Sequence, residues 1–176
     1  MLRCMKKYFS LEDLLREQLR DLFNAEENYN RHLASFITTA TSIKLREQLK
    51  TVEGVTRQNI KLLAEMCNEL GVPPQGVTCE AMDGLIREAK DTTSDWGDTA
   101  TIDAALIANA QRIVHYEIAG FGTAKEFARV LSHKTISKTL NEMLQRAVTT
   151  DQELTRIATG GWFNSGINNE AADVAA

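Results

Sequence analysis

Three carboxylic acids occupy positions that helical periodicity assigns to apolar residues. Glu26 follows Leu19 and Leu22 in a stripe of 3.6-residue period, and Glu117 and Asp151 lie in the same way within two later stripes. A carboxylate in an apolar core is costly unless it is paired, protonated or bound to a metal. Because the three acids come from three helices, each near its middle, we expect them to meet at one level of a bundle and to bind a cation such as iron, manganese or magnesium.

Each acid taken singly also fits the solvated edge of a helix, and Glu26 beside Glu27 could be a solvent-facing pair. A complete two-metal carboxylate site draws a glutamate from each of two helices and a Glu-x-x-His from each of two others. The second and fourth helical stretches contain no Glu-x-x-His. His115 lies about 160° around the helix from Glu117, so we expect it at a surface or an interface rather than among the ligands. The sequence therefore predicts no cofactor, or at most one weakly bound iron or manganese ion.

Long helices must position these acids, and apolar spacing predicts four of them. The predicted ranges are 11–40, 43–70, 101–131 and 135–159. Ser10 and Asp13 match a capping box at the first start, and Gly71 supplies a C-cap for the second helix. The connection over 71–98 carries a short amphipathic helix over 80–89. One long crossover is typical of ferritin-like bundles, so we predict an all-α, ferritin-like four-helix bundle with a long crossover carrying a short extra helix.

The composition is that of one globular domain, since 176 residues include 43% hydrophobic and 25% charged residues. We expect a bundle over residues 1–160 and a flexible, Gly/Asn/Ala-rich tail over 161–176. No apolar run approaches the roughly 18 residues of a membrane span, and a net charge of −4 without a basic stripe argues against nucleic acid. Widely spaced cysteines and an N-terminus without a signal-peptide pattern favour a cytoplasmic protein.

Several segments together resemble the YciE/YciF family of ferritin-like bacterial proteins over about residues 10–158. They are Asn24 to Glu27, Cys79 to Ile86, Asp103 to Ala108, Ala110 to Ala119, and Thr150-Asp151 with Leu154-Thr155. The resemblance implies a dimeric protein linked to bacterial stress responses, without an established reaction. Its fold implies a di-iron or related carboxylate site, by similarity to rubrerythrin-like bundles.

The metal-binding pattern that this resemblance implies is incomplete. The acidic pair of helix two is replaced by Gly54-Val55, one acid of helix three by Val114, and an acid of helix four by Ala147. These changes indicate a core refilled with apolar atoms. The acids that remain as possible ligands are Glu26, Glu117 and Asp151.

If no cation is bound, the remaining acids must be neutralised within the protein. Proton sharing would raise the pKa of at least one carboxyl group, because two like charges close together disfavour joint ionisation. A hydrogen bond from Thr56 or Asn59 is the other possibility.

These residues leave two classes of function open, and the first has a simpler version. The leading hypothesis is a homodimeric, non-enzymatic family member with a degenerate di-iron site. Its simpler version is a purely structural bundle in which the acids are solvated. The alternative is an iron- or manganese-binding protein, or a di-iron-type oxidoreductase, that uses a residual site. Phe36, Tyr116 and Phe121 lie beside the main apolar stripes and favour a dimer interface.

Overall fold

Helices make up most of the chain, and the computed structural model describes residues 8–94, 96–161 and 164–173. The long helices are α1 (Leu11–Thr39), α2 (Ile43–Glu69), α4 (Thr99–Val130) and α5 (Lys134–Thr159). The crossover helix is α3 (Glu80–Ser94), and the chain ends with β1 (Gly160–Gly161), β2 (Asn164–Ser165) and α6 (Ile167–Asp173). The predicted all-α bundle with a helix in a long crossover is confirmed. Within the described residues, no helix is long and apolar enough to cross a membrane.

The ends of the first two helices follow from the residues that the sequence analysis identified. The side chain of Ser10 accepts a hydrogen bond from the Asp13 amide at 3.1 Å, and Asp13 Oδ2 accepts one from the Ser10 amide at 3.0 Å. Gly71 has φ +70°. Its amide and that of Val72 donate back to carbonyl groups of the last turn of α2, as in a Schellman motif. The predicted capping box and C-cap are therefore confirmed.

Two helix pairs form the bundle: α1 packs on α2, and α4 packs on α5. Contacts of α1 with α4 and of α2 with α5 close it, and α3 lies against α1 and α4. The core is aliphatic over most of its length. Its fully buried leucines are Leu15, Leu19, Leu22, Leu33, Leu45, Leu49, Leu63, Leu140 and Leu154.

The crossover helix extends further than the sequence predicted. We expected it to end near residue 89, but it continues to Ser94. Asn109 Nδ2 on α4 donates to Thr92 Oγ1 at 2.6 Å, which ties this polar end of α3 to the bundle. The next helix begins at Thr99 instead of 101, because Asp98 caps it by accepting a hydrogen bond from the Thr101 amide.

The C-terminal segment contains elements that the sequence analysis did not predict. Gly160, with φ +74°, reverses the chain after α5, and Gly160 pairs with Ser165 in a two-residue antiparallel ladder. The all-α prediction contained no strand, so it missed this ladder. Ile167 is only 4% exposed, and α6 packs on α4 and α5. The division of the chain at residue 160 and the flexibility of the tail stay predictions.

Candidate functional site

Two of the three predicted acids meet in the middle of the bundle. Glu26 on α1 is 1% exposed and Glu117 on α4 is 7% exposed. The negative charge of Glu26 contributes to raising the pKa of Glu117, so the two carboxyl groups lie close enough to interact. Each lies on the apolar stripe of its helix, as the sequence predicted.

Asp151 does not join this pair. Its carboxylate is 23% exposed, accepts a hydrogen bond from Gln111 Nε2 at 2.9 Å and lies 3.3 Å from His115 Nε2. Our expectation that three acids converge is therefore wrong. Asp151 lies at the edge of the apolar face of α5, whose inward positions at this level belong to Ala147 and Thr150.

His115 is 64% exposed and points away from Glu117, as the helical rotation predicted. Its neighbour Asp151 shares that outer position, which explains why the two form a pair on the α4–α5 surface. In the described part of the chain, no three His, Cys, Asp or Glu side chains form a group that could hold a metal ion. Metal binding by Glu26, Glu117 or Asp151 stays a prediction.

Hydrogen bonds from neighbouring helices reach the Glu26 carboxyl. Asn59 Nδ2 on α2 donates to Glu26 Oε1 at 3.1 Å, and Arg146 Nη2 on α5 donates to Asn59 Oδ1 at 3.3 Å. The predicted role of Asn59 as a partner of a buried acid is confirmed. We call the group of Glu26, Tyr29, Asn59, Glu117 and Arg146 the polar centre.

Arg146 was missed by the sequence analysis, which considered only the neighbouring Ala147. An arginine on the flank of an apolar stripe normally extends to solvent. Because its aliphatic chain is long and flexible, the sequence does not show whether the guanidinium turns inward. The position just before the inward-facing Ala147 was the available signal. In the structure Arg146 is half-buried and its guanidinium donates a hydrogen bond to Asn59.

Three buried atoms of the polar centre are not satisfied. Among the described residues, Glu26 Oε2, Tyr29 Oη and Arg146 Nε have no hydrogen-bond partner. Orphaned polar atoms of this kind are rare inside proteins and usually mark a bound water, an ion or a functional group. These three atoms belong to α1 and α5, and Glu26 and Tyr29 lie one turn apart on the same face of α1.

Burial dominates the protonation of the polar centre. It raises the pKa of Glu26 to about 8, although the hydrogen bond from Asn59 and the positive charge of Arg146 act in the opposite direction. Burial, with repulsion from Glu26, raises the pKa of Glu117 well above its ordinary value. The same burial, reinforced by the two glutamates, raises the pKa of Tyr29. These directions agree with the predicted neutralisation of at least one buried acid by a proton.

Only some of the positions at which the sequence analysis inferred a lost acid face the core. Val114 and Ala147 are buried, at 0% and 4% exposure. In contrast, Gly54 is exposed and Val55 is half-buried. The inward positions of α2 at this level are Val52, Thr56 and Asn59, which are at most 4% exposed. The replacement of an acidic pair by Gly54-Val55 therefore did not change the core at this level. The sequence argument that these two positions were refilled core positions is wrong.

The donor set of the polar centre does not fit a pair of metal ions. Two metals in a bundle of this kind need about four carboxylates and two imidazoles. The polar centre offers two carboxyl groups and an amide beside a guanidinium. His32 contacts the carbonyl of Asn28 on its own helix, and His133 pairs with Glu12 at 2.9 Å. With His115 on the surface, every histidine of the chain is committed elsewhere.

Comparison with known proteins agrees with the resemblance seen in the sequence. The family model described as a domain of unknown function, DUF892, matches residues 10–172. Protein YciF of Escherichia coli strain K12 is 32% identical over 150 residues, which cover 85% of this chain and 90% of YciF.

Two solved structures share the fold over most of their length. YcfI from Rhodopseudomonas palustris, for which a structural role has been suggested, is 35% identical, with a TM-score of 0.83 over 89% of this chain and 99% of YcfI. The crystal structure of the E. coli stress protein YciF is 32% identical, with a TM-score of 0.81 over 84% of this chain and 94% of YciF. The chain belongs to the DUF892 family, to which the resemblance to YciE/YciF pointed.

Proposed function

We propose that this chain is a non-enzymatic, stress-associated member of its family that acts through its structure and contains a degenerate di-iron site. The observation that carries the proposal is the donor set at Glu26 and Glu117. Two carboxyl groups remain there, and an amide and a guanidinium stand where further metal ligands would be needed. The names of the relatives support the proposal, since YciF is called a stress protein and a structural role has been suggested for YcfI.

Metal loading tests this proposal directly. Protein purified without chelator is titrated with iron(II) or manganese(II), desalted and analysed for metal. At most one weakly held ion per chain is expected, and most of it should be lost on desalting. Two retained equivalents per chain would sink the proposal, as would two anomalous peaks roughly 3.5–4 Å apart in a metal-soaked crystal. The variant carrying Glu26→Gln and Glu117→Gln serves as the blank.

A residual iron or manganese site is the second candidate function. The unpartnered Glu26 Oε2 favours it, because a buried carboxylate oxygen without a donor is available to a hard cation. One tightly retained ion per wild-type chain, absent from the double glutamine variant, would support this candidate over the first. Oxidation of iron(II) by oxygen, followed by absorbance, would then separate an oxidoreductase from a simple binding protein.

We also propose a homodimer in the cytoplasm, without nucleic-acid or membrane partners. The aromatic residues first considered for the interface do not support it, because Phe36 and Phe121 are buried in the core and Tyr116 is half-buried. Better candidates are Phe9, 86% exposed, and Val130, 61% exposed. They lie at the same end of the bundle, because a hydrogen bond between His133 and Glu12 brings the start of α1 next to the end of α4.

Light scattering at tens of micromolar measures the dimer directly. The wild-type protein is expected at twice the chain mass, and a monomer mass would contradict the proposal. Replacing Phe9 and Val130 by serine should weaken association. Ile43→Ser changes another exposed apolar residue, 74% exposed at the start of α2, and is the matched control.

A further inference from the structure

The polar centre already contains a cation that belongs to the chain itself. Arg146 extends from α5 between α2 and α5, and its Nη2 donates to Asn59 Oδ1 at 3.3 Å. The amide of Asn59 is thereby fixed with its Nδ2 directed to Glu26 Oε1, at 3.1 Å. The positive charge of Arg146 thus acts on the Glu26 carboxyl both through space and through the orientation of Asn59.

We propose that the guanidinium of Arg146 keeps metal ions out of the polar centre, so that removing this one group creates a divalent-cation site at Glu26 and Glu117. The inference deepens the proposed function and rests on it, since it names the group that keeps the metals out. It also assigns the ligand class that the variant site would take: a hard divalent ion such as manganese(II).

The first reason for the proposal is that buried oxygen atoms at Glu26 and Tyr29 lack hydrogen-bond partners. Glu26 Oε2 and Tyr29 Oη are fully buried oxygens without a partner among the described residues. Together with the carboxyl group of Glu117 they provide oxygen ligands of the type that manganese and magnesium prefer. A cation placed there next to Arg146 would meet a second positive charge in a medium of low dielectric, where repulsion is strong. Arg146 therefore excludes the ion that these oxygens would otherwise hold.

The second reason is access from solvent. Arg146 also lines a groove of about 310 Å³ between α2 and α5, whose walls include Thr51, Val55 and Thr149. Its side chain therefore reaches from this groove to Asn59. A shorter neutral side chain at this position would leave space beside Asn59 and remove the positive charge that acts on Glu26.

Manganese binding, measured by loss of the EPR signal of the free ion, tests the proposal. Arg146→Gln should bind manganese(II) at least tenfold more tightly than the wild-type chain, and adding Glu26→Gln should abolish the gain. Arg146→Lys keeps the positive charge and should exclude the ion like the wild type. Arg57→Gln makes the same change of charge on the surface of α2, where Arg57 is 60% exposed and pairs with Glu53, and should have no effect.

Three outcomes would overturn the inference: no gain in Arg146→Gln, an equal gain in Arg57→Gln, or binding by the wild type as tight as by Arg146→Gln. The failure of the proposed function looks different, because that failure is two retained metal ions in the wild-type protein. Each experiment therefore has its own contradicting result.

Thermal melting without metal provides a second readout if Arg146→Gln folds poorly. At pH 9, where the Glu26 carboxyl is ionised, loss of the guanidinium should lower the melting temperature. Adding Glu26→Gln should restore part of the loss, because no buried negative charge then needs a positive partner. Strictly additive losses in the double variant would contradict a direct coupling between Arg146 and Glu26.

Discussion

Asp103 on α4 holds the turn between α1 and α2 through Thr41. Its Oδ1 accepts a hydrogen bond from the Thr41 amide at 2.9 Å, and its Oδ2 accepts one from Thr41 Oγ1 at 2.8 Å. The amide of Ser42, the N-cap of α2, donates to the same Oδ2 at 2.7 Å. Although Asp103 is only 2% exposed, it is fully satisfied, and its negative charge lies at the N-terminus of α2, where the helix dipole favours it.

Asp103→Ala should be among the most destabilising substitutions of a single polar residue. It removes three charge-assisted hydrogen bonds and leaves the amides of Thr41 and Ser42 without their acceptor, so we expect a loss of about 2–4 kcal/mol in the free energy of unfolding. Asp98→Ala removes the N-cap of α4, which is less buried, and should cost about 1 kcal/mol. Urea denaturation of both variants measures the difference, and equal losses would contradict the special role of Asp103.

Two glycines of α4 should respond in opposite directions to alanine. A Cβ at Gly120 would lie 2.6 Å from Leu22 Cδ2, and Leu22 is fully buried, so the packing of α1 on α4 must shift. Gly120→Ala should therefore destabilise by about 1–3 kcal/mol. A Cβ at Gly122 meets nothing within 4 Å, so Gly122→Ala should stabilise by about 0.5–1 kcal/mol through lower backbone entropy in the unfolded chain. Chemical denaturation of both variants tests this, and a change of the same sign in both would contradict it.

The helices were predictable because their signals are local, whereas the polar centre depends on positions that only packing determines. The capping box at Ser10 and the break at Gly71 are short patterns that act within one turn. The convergence of Glu26 with Glu117 also followed from periodicity. Asp151 did not, since one residue of rotation on α5 separates the inward Thr150 from the surface.

The sequence analysis missed the contacts of Asp103 and Arg146 for a related reason. Asp103 falls in the stretch that carried the family resemblance, but its partners at Thr41 and Ser42 are about sixty residues away in the chain. Arg146 flanks an apolar stripe, and whether such a side chain reaches inward depends on the neighbouring helix. In this protein α2 presents Asn59 to receive it.

Raised carboxyl pKa values make the stability of the wild-type protein depend on pH. Between the ordinary glutamate pKa and about pH 8, Glu26 stays protonated in the folded state but ionises in the unfolded chain. The folded state then binds more protons, so the free energy of unfolding falls as pH rises, by up to about 1.4 kcal/mol per pH unit for each such carboxyl. Urea midpoints from pH 5 to 8 should fall accordingly.

Glutamine at both core positions should flatten this pH dependence. Glu117→Gln alone is expected to be tolerated or stabilising at pH 8, because it removes an acid whose ionisation the core opposes. Glu53→Gln removes an acid near the surface of α2 and should keep the wild-type slope. A flat wild-type profile, or an unchanged slope in the double glutamine variant, would show that the two core carboxyls do not control the pH response.

The C-terminal helix α6 should contribute measurably to stability through Ile167. This side chain is 4% exposed and anchors α6 against α4, so Ile167→Ala should cost about 2–4 kcal/mol. Asn168 is exposed, and Asn168→Ala should change the free energy of unfolding by less than about 0.5 kcal/mol. Amide hydrogen exchange provides a second measurement, since the amides of Asn169 and Glu170 donate to the Gly166 carbonyl and should be protected. A frayed tail, as the composition predicted, would instead give equal stability in both variants and rapid exchange at both amides.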